Sequence, residues 1–203
     1  DEGAPDTMVH VTAGGLDFWI DAYEASRPDA TPSSSGSAEH RACSNPGVKP
    51  WRSVTWSQAA AACAAAGKRL CTEAEWQAAC EGPSATAYPY GDAYAPNACN
   101  GDDYDPDCAP PDDDVCLPSG TAYGCPPPAS SACVSAFGAF DLSGNVKEWT
   151  ATQVSASPVA YRIRGGAYDS VASGLTCQFD FVSGSDTFSF PNLGFRCCAD
   201  TAP

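Results

Sequence analysis

Twelve cysteines in a chain of 203 residues constrain its folding more than any other feature. Cytosolic thiol pools keep cysteine reduced, so this density predicts an oxidising compartment and a disulfide framework, in a protein that is secreted or displayed on a cell surface. No two cysteines have Cys-x-x-Cys spacing, which removes the paired-thiolate zinc sites. His10 and His40 are the only histidines. Both lie in polar, loop-like sequence and read as surface residues rather than as two vertices of a metal triad.

Charge and hydropathy exclude two classes of partner. Ten Lys and Arg stand against twenty-five Asp and Glu, a formal charge of −15. A phosphate backbone binds through cations that displace its counterions, so nucleic acid is excluded. No apolar run approaches the roughly 20 residues of a membrane span. The sequence opens on Asp-Glu-Gly rather than a basic and then apolar leader, so it reads as a mature chain whose export signal has been removed or was not included.

The length suits one domain, taken here as residues 17–203 behind an N-terminal extension, residues 1–16. "DFWIDAYEA" (17–25) has the aromatic and β-favouring content of one or two strands, and "SRPDATPSSSGSAE" (26–39) reads as a long surface loop. Two helices follow from local chemistry. In "TWSQAAAACAAAGK" Thr55 and Gln58 have capping-box spacing, with Gly67 beyond the end. In "TEAEWQAACEG" Thr72 and Glu75 repeat the spacing and Gly82 stops the helix. From Pro83 to about Ser131 regular structure is scarce, and a loop that long in a compact domain calls for bracing or for function. "FGAFDLSGNVKEWTA", "AYRIRGGAY", "CQFDF" and "NLGFRCC" alternate turns with strands. The fold class is α+β, two short helices on an irregular, mainly antiparallel sheet.

Two stretches carry metal-binding chemistry. Calcium takes six to eight oxygens from carboxylates and carbonyls. In "DLSGNVKEW", Asp141 and Glu148 flank a Ser-Gly-Asn turn that can converge carbonyls, or they are two acids beside an ordinary turn. In "GDDYDPDCAPPDDDV", Asp103, Asp105 and Asp107 alternate as in a calcium loop, without the glycine and later glutamate of the helix-loop-helix form. That stretch is either a second calcium site or a solvated acidic loop. The tyrosines of "ATAYPYGDAY" could stack on sugar rings or pack as local core.

"PWRSVTWSQAAAACAAAGKRLCTEAEWQAAC", "YPYGD", "FGAFDLSGNVKEWT", "RIRGGAY" and "NLGFRCC" resemble, in order, the formylglycine-generating enzyme or sulfatase-modifying factor family, over about residues 17–200. The likeness is strongest to a cysteine-rich extracellular subgroup from bacteria. The resemblance implies a variant of the C-type lectin fold, bound calcium and, in active members, oxidation of a substrate cysteine by copper held on two thiolates. The family's calcium ligands fall on Asp141 and Glu148 by side chain and on Gly144 and Val146 by carbonyl. A second, less secure alignment places Asn100 and Asp114 by side chain and Gly101 and Cys116 by carbonyl. The family's serine and copper thiolates fall on Ala167, Ser170 and Leu175, and a family tryptophan on Lys147. Serine is no soft ligand for copper(I), and leucine is no ligand at all. The family bridges fall on Cys63 with Cys197 and Cys80 with Cys177. Adjacent residues on a strand face opposite ways, so Cys197 and Cys198 need separate partners, and Cys71 is the partner suggested for Cys198. The other six cysteines stay unassigned.

Three function classes follow. The formylglycine-generating oxidase reading loses its metal ligands. A lectin-like module would bind carbohydrate or protein. A structural or assembly domain of the bacterial exterior would meet other copies of itself, a cell-surface protein or a glycan, for instance through an N-terminal strand added to a neighbour's sheet. The expectation is a non-catalytic, calcium-containing domain of the last kind. The early loop offers serines and threonines for O-linked sugar, whereas no Asn-x-Ser/Thr acceptor exists.

Overall fold

Both helices begin where their capping residues place them. The computed structural model describes residues 6–104, 132–180 and 182–202. Helix α1 spans Trp56–Ala65 and α2 spans Glu73–Glu81. The Thr55 hydroxyl accepts from the Gln58 amide at 3.2 Å, and the Gln58 side chain accepts from the Thr55 amide at 3.0 Å. Thr72 and Glu75 repeat the exchange at 3.2 and 2.8 Å. Gly67 takes a φ of +73° just past α1, a conformation that side chains rarely adopt.

Around these helices lie two four-stranded sheets. The strands are β1 (Met8–Ala13), β2 (Leu16–Asp21), β3 (Arg69–Leu70), β4 (Lys147–Ala156), β5 (Val159–Arg164), β6 (Val182–Gly184), β7 (Leu193–Phe195) and β8 (Cys197–Ala199). One sheet has the order β1-β2-β8-β3, the other β6-β5-β4-β7. All pairings are antiparallel except β4 with β7. The domain therefore starts earlier than residue 17. Residues 8–13, assigned above to an extension, pair with β2 from Met8↔Asp21 to Ala13↔Leu16. The reason is visible in the burial: Val9, Val11 and Ala13 turn to the core whereas His10 and Thr12 are exposed, the period of a half-buried edge strand. Residues 177–180, read above as strand, instead follow a 3₁₀ turn at Ala172–Leu175.

The apolar interior forms two clusters. One gathers Trp51, Trp149, Ile163, Leu193 and Phe195 under α1, the other Val11, Phe18, Ile20, Trp76 and Leu142 under α2. Strand β8 lies between them. Cys197 bridges to Cys63 of α1 in the first cluster, and Cys198 to Cys71 in the second. Cys80 of α2 bridges to Cys177, and Cys99 to Cys133. Bridges that close loops of this size each contribute about 2–4 kcal/mol by restricting the unfolded chain. Cys43 is buried and unbridged. Cys108, Cys116 and Cys125 lie outside the described residues.

Lys68, four residues short of α2's cap, is held by acids on both sides. Its side chain is 4% exposed and lies 2.7 Å from Asp21 and 3.0 Å from Asp6. Burial raises the Asp21 carboxyl to about 6 in spite of Lys68. Burial alone would lower Lys68, but Asp21 and Asp6 outweigh it and raise the ammonium instead. Because the folded value of Asp21 lies above its unfolded one, the cost of burying its charge sets in as pH rises through about 6. Lys68→Met is thus expected to lose about 3–5 kcal/mol at pH 7.5. At pH 5 the acid keeps its proton and the loss shrinks. Urea unfolding of both proteins at the two pH values checks this.

Candidate functional site

The turn between Asp141 and Glu148 is built on unusual backbone. Asp141, Gly144 and Asn145 have φ of +57°, +84° and +59°. A Cβ on Gly144 would meet the Asn100 carbonyl oxygen at 2.2 Å, so only glycine fits. Asn145 is the hub. Its amide donates to the Asn100 carbonyl at 2.8 Å, its side-chain oxygen accepts from Asn100 Nδ2 at 3.1 Å, and its Nδ2 donates to Glu24 at 2.5 Å. The other Glu24 oxygen accepts from the Val146 amide at 3.0 Å.

Behind the turn sits a buried charge cluster. The Arg196 Nε donates to both Glu148 oxygens, at 3.0 and 2.7 Å, and Nη2 donates to Oε1 at 2.7 Å. The Trp76 indole donates to Oε2 at 2.7 Å. The guanidinium also donates to the carbonyls of Asp21 and Phe140, at 3.1 and 2.8 Å. Glu24, Asp141, Glu148 and Arg196 are all buried. Burial first, and then the charges of Asp141 and Glu148, push the Glu24 carboxyl well above the usual range. Burial opposes the Arg196 charge, and Glu148 more than restores it. Glu24 and Asp141 also lie within the field of the Arg196 guanidinium.

Asp141, Gly144, Val146 and Glu148 therefore share one turn, with a donor set that suits calcium only in part. A carboxylate offers about four lone-pair sites, and the four contacts from Arg196 and Trp76 occupy those of Glu148. Asp141 and the two carbonyls remain as candidate ligands, and Glu148 contributes charge. Asn100 and Gly101 lie beside the same turn, Asn100 through Asn145 and Gly101 against Leu175. Asp105, Asp107, Asp114 and Cys116 lie outside the described residues. Among the described residues, no three His, Cys, Asp or Glu converge to hold a metal. Glu24 and Arg196 join the site although nothing in "DAYEA" or "GFRCC" marks them for it. Neither carries a local signal of its distant partner.

Ala167, Ser170 and Leu175 also come together. Ser170 Oγ accepts from the Ala167 amide at 3.0 Å, and its carbonyl accepts from the Asp102 amide at 3.0 Å. Leu175 is 2% exposed and packs so tightly that a Cβ on Gly101 or Gly166 would lie 2.4 or 2.9 Å from its methyl groups. Lys147 pairs with Asp169 at 3.3 Å. The tyrosines at 88, 90 and 94 face one another, with ring centroids 5.4 and 5.6 Å from that of Tyr88, and Tyr88 is buried.

Comparison with known proteins places this arrangement. The model of the sulfatase-modifying factor enzyme 1-like domain matches residues 7–201. The chain belongs to that family. It is 32% identical over 160 residues to the inactive C-alpha-formylglycine-generating enzyme 2 of Bos taurus, covering 72% of this chain and 48% of that protein. It is 30% identical over 223 residues to the formylglycine-generating enzyme of Mus musculus, covering 97% of this chain and 55% of that one. The chain thus spans about half the length of these relatives. Among solved structures, CarF superposes with a TM-score of 0.65 at 17% identity, over 98% of this chain and 99% of that one. The fold is the C-type-lectin-like α+β arrangement of this family.

Arg196→Met leaves the three buried acids without their internal cation. A loss of about 3–5 kcal/mol is expected, measured by denaturant unfolding with the disulfides intact.

Proposed function

We propose that this chain is a non-catalytic member of its family, serving outside the bacterial cell in structure or recognition, with other copies of itself, a cell-surface protein or a glycan as partner. The observation that carries the reading is Leu175. Where the family resemblance puts a copper thiolate stands a buried leucine clasped by Gly101 and Gly166, and where it puts the other stands Ser170. Neither is a ligand for copper(I), so copper does not fit and no chemistry is assigned to it. The match to a relative named inactive supports the same conclusion. The four disulfides among the described residues agree with an oxidising location. Incubated with copper(I) and a cysteine peptide, the purified protein is expected to form no aldehyde by mass spectrometry; formylglycine in the peptide would overturn the reading.

Calcium enters as part of the same proposal. Asp141 and the carbonyls of Gly144 and Val146 would hold it, with the buried Glu148 carboxylate beside them. With one carboxylate as direct ligand the affinity belongs to the weak, extracellular range, about 10⁻⁴–10⁻³ M. A ligand bound only by the folded state at 100 times its Kd adds about 2.7 kcal/mol. Saturating calcium is therefore expected to raise the melting temperature, and Asp141→Ala to abolish the rise. An unchanged melting temperature on adding calcium or chelator would remove the ion from the reading.

A further inference from the structure

The second sheet carries a feature that neither the charge cluster nor the buried leucine uses. A cleft of about 250 Å³ opens over the face formed by Ile163 of β5 and Val182 of β6. Phe188 and Phe190 line it, 42% and 53% exposed, their rings within 7° of parallel. The same lining holds a polar group. There Asp169 accepts from buried Asn192 at 2.7 Å on one oxygen and from Lys147 at 3.3 Å on the other.

Most exposed apolar side chains need no explanation. These two differ because their position is held. Phe188 sits edge-on to Trp149 at 6.4 Å, over a glycine, Gly184, whose Cβ would strike both rings at 2.8 Å. The loop that bears them is tied to α1, since the Ser57 amide and hydroxyl both donate to the Asp186 carbonyl at 3.3 Å. Phe188 and Leu193 close turns at either end, with their amides on the carbonyls of Ser185 and Phe190. The platform is preorganised, which lowers the entropic cost of binding.

We infer that this cleft binds a single neutral pyranose ring, the apolar C–H face on Phe188 and Phe190 and the hydroxyls on Asp169, Asn192 and Lys147. Three features select that ligand class. The volume lies below the roughly 300–1,000 Å³ of drug-sized pockets and suits one ring. The polar group is neutral, because Lys147 and Asp169 offset each other, so a charged ligand gains nothing there despite the acidic chain. It also presents both signs of hydrogen-bonding group. Two of the roughly four lone-pair sites of Asp169 are taken, which leaves the carboxylate able to accept from hydroxyls while the ammonium's remaining protons donate to them.

The inference rests on the recognition half of the proposed function and names its ligand class. Methyl pyranosides of glucose, galactose and mannose, titrated into isotope-labelled protein, are expected to shift the ring signals of Phe188 and Phe190 and the Asn192 side-chain amide. Asp169→Asn and Phe190→Ala, both at exposed positions, are each expected to weaken that binding about tenfold, the first by loss of a contact to a charged group and the second by loss of stacking area. Tyr90→Ala, on a different surface, should leave it unchanged. Absence of shifts with all three sugars, shifts that survive both cleft variants, or shifts obtained only with an apolar peptide such as Leu-Phe-Leu would each overturn the assignment. The copper and peptide assay is independent of these titrations, so failure of the sugar site and failure of the non-catalytic reading are told apart.

Discussion

One buried guanidinium organises the centre of the molecule. Arg196 sits between β7 and β8 and bonds to the end of β2 at Asp21, to Phe140 ahead of the turn, and to Glu148 on β4. Each partner comes from a different part of the chain, so the fold can close only when all of them have arrived. A buried charge left without its hydrogen bonds costs several kcal/mol. The same contacts that neutralise Arg196 therefore discriminate against alternative packings. The turn at 141–146 depends on it in turn, because Glu24 and Asp141 lie within the field of the pair and Glu24 holds two groups of the turn.

Above that centre, the position that the family resemblance ties to redox chemistry has become part of the packing. Leu175 is a packing residue. Its methyl groups occupy the space against Gly101 and Gly166, and its carbonyl accepts from Ser143 at 2.6 Å. Restoring cysteine at one position would therefore open a gap in the core rather than recreate a metal site. The Phe188–Phe190 cleft lies on the same sheet as Lys147, the residue that the resemblance sets at the family's tryptophan position.

Much of the architecture was legible because its signals are local. The capping boxes at Thr55 and Thr72 each need only four consecutive residues, and both helices begin where those residues predict. The alternation of Cys197 and Cys198 follows from strand geometry alone. Long-range features were not legible. Cys99 with Cys133 could not be picked from the pairings open to the remaining cysteines, and Arg196 meets Glu148 across 48 residues with nothing in either neighbourhood to announce it. Glu24 meets Asn145 across 121. Strand β1 does carry a local signal, since "MVHVTA" is β-favouring and runs through Gly14-Gly15 into "LDFWID", and the boundary set at residue 17 passes over that hairpin. The phenylalanines of "SDTFSF" have no period at all, and only the closure of the loop onto α1 makes them a pair.

The adjacent cysteines of β8 also decide how the domain would respond to a pull. Tension applied to the chain beyond Ala199 reaches Cys198 first and then Cys197, and from there divides through sulfur into the α1 side and the α2 side of the interior. Hydrogen bonds of β8 to its neighbours need not carry the force. A module fastened this way can be tugged from its carboxyl side without peeling strand by strand, a useful property for anything anchored where fluid shear is felt.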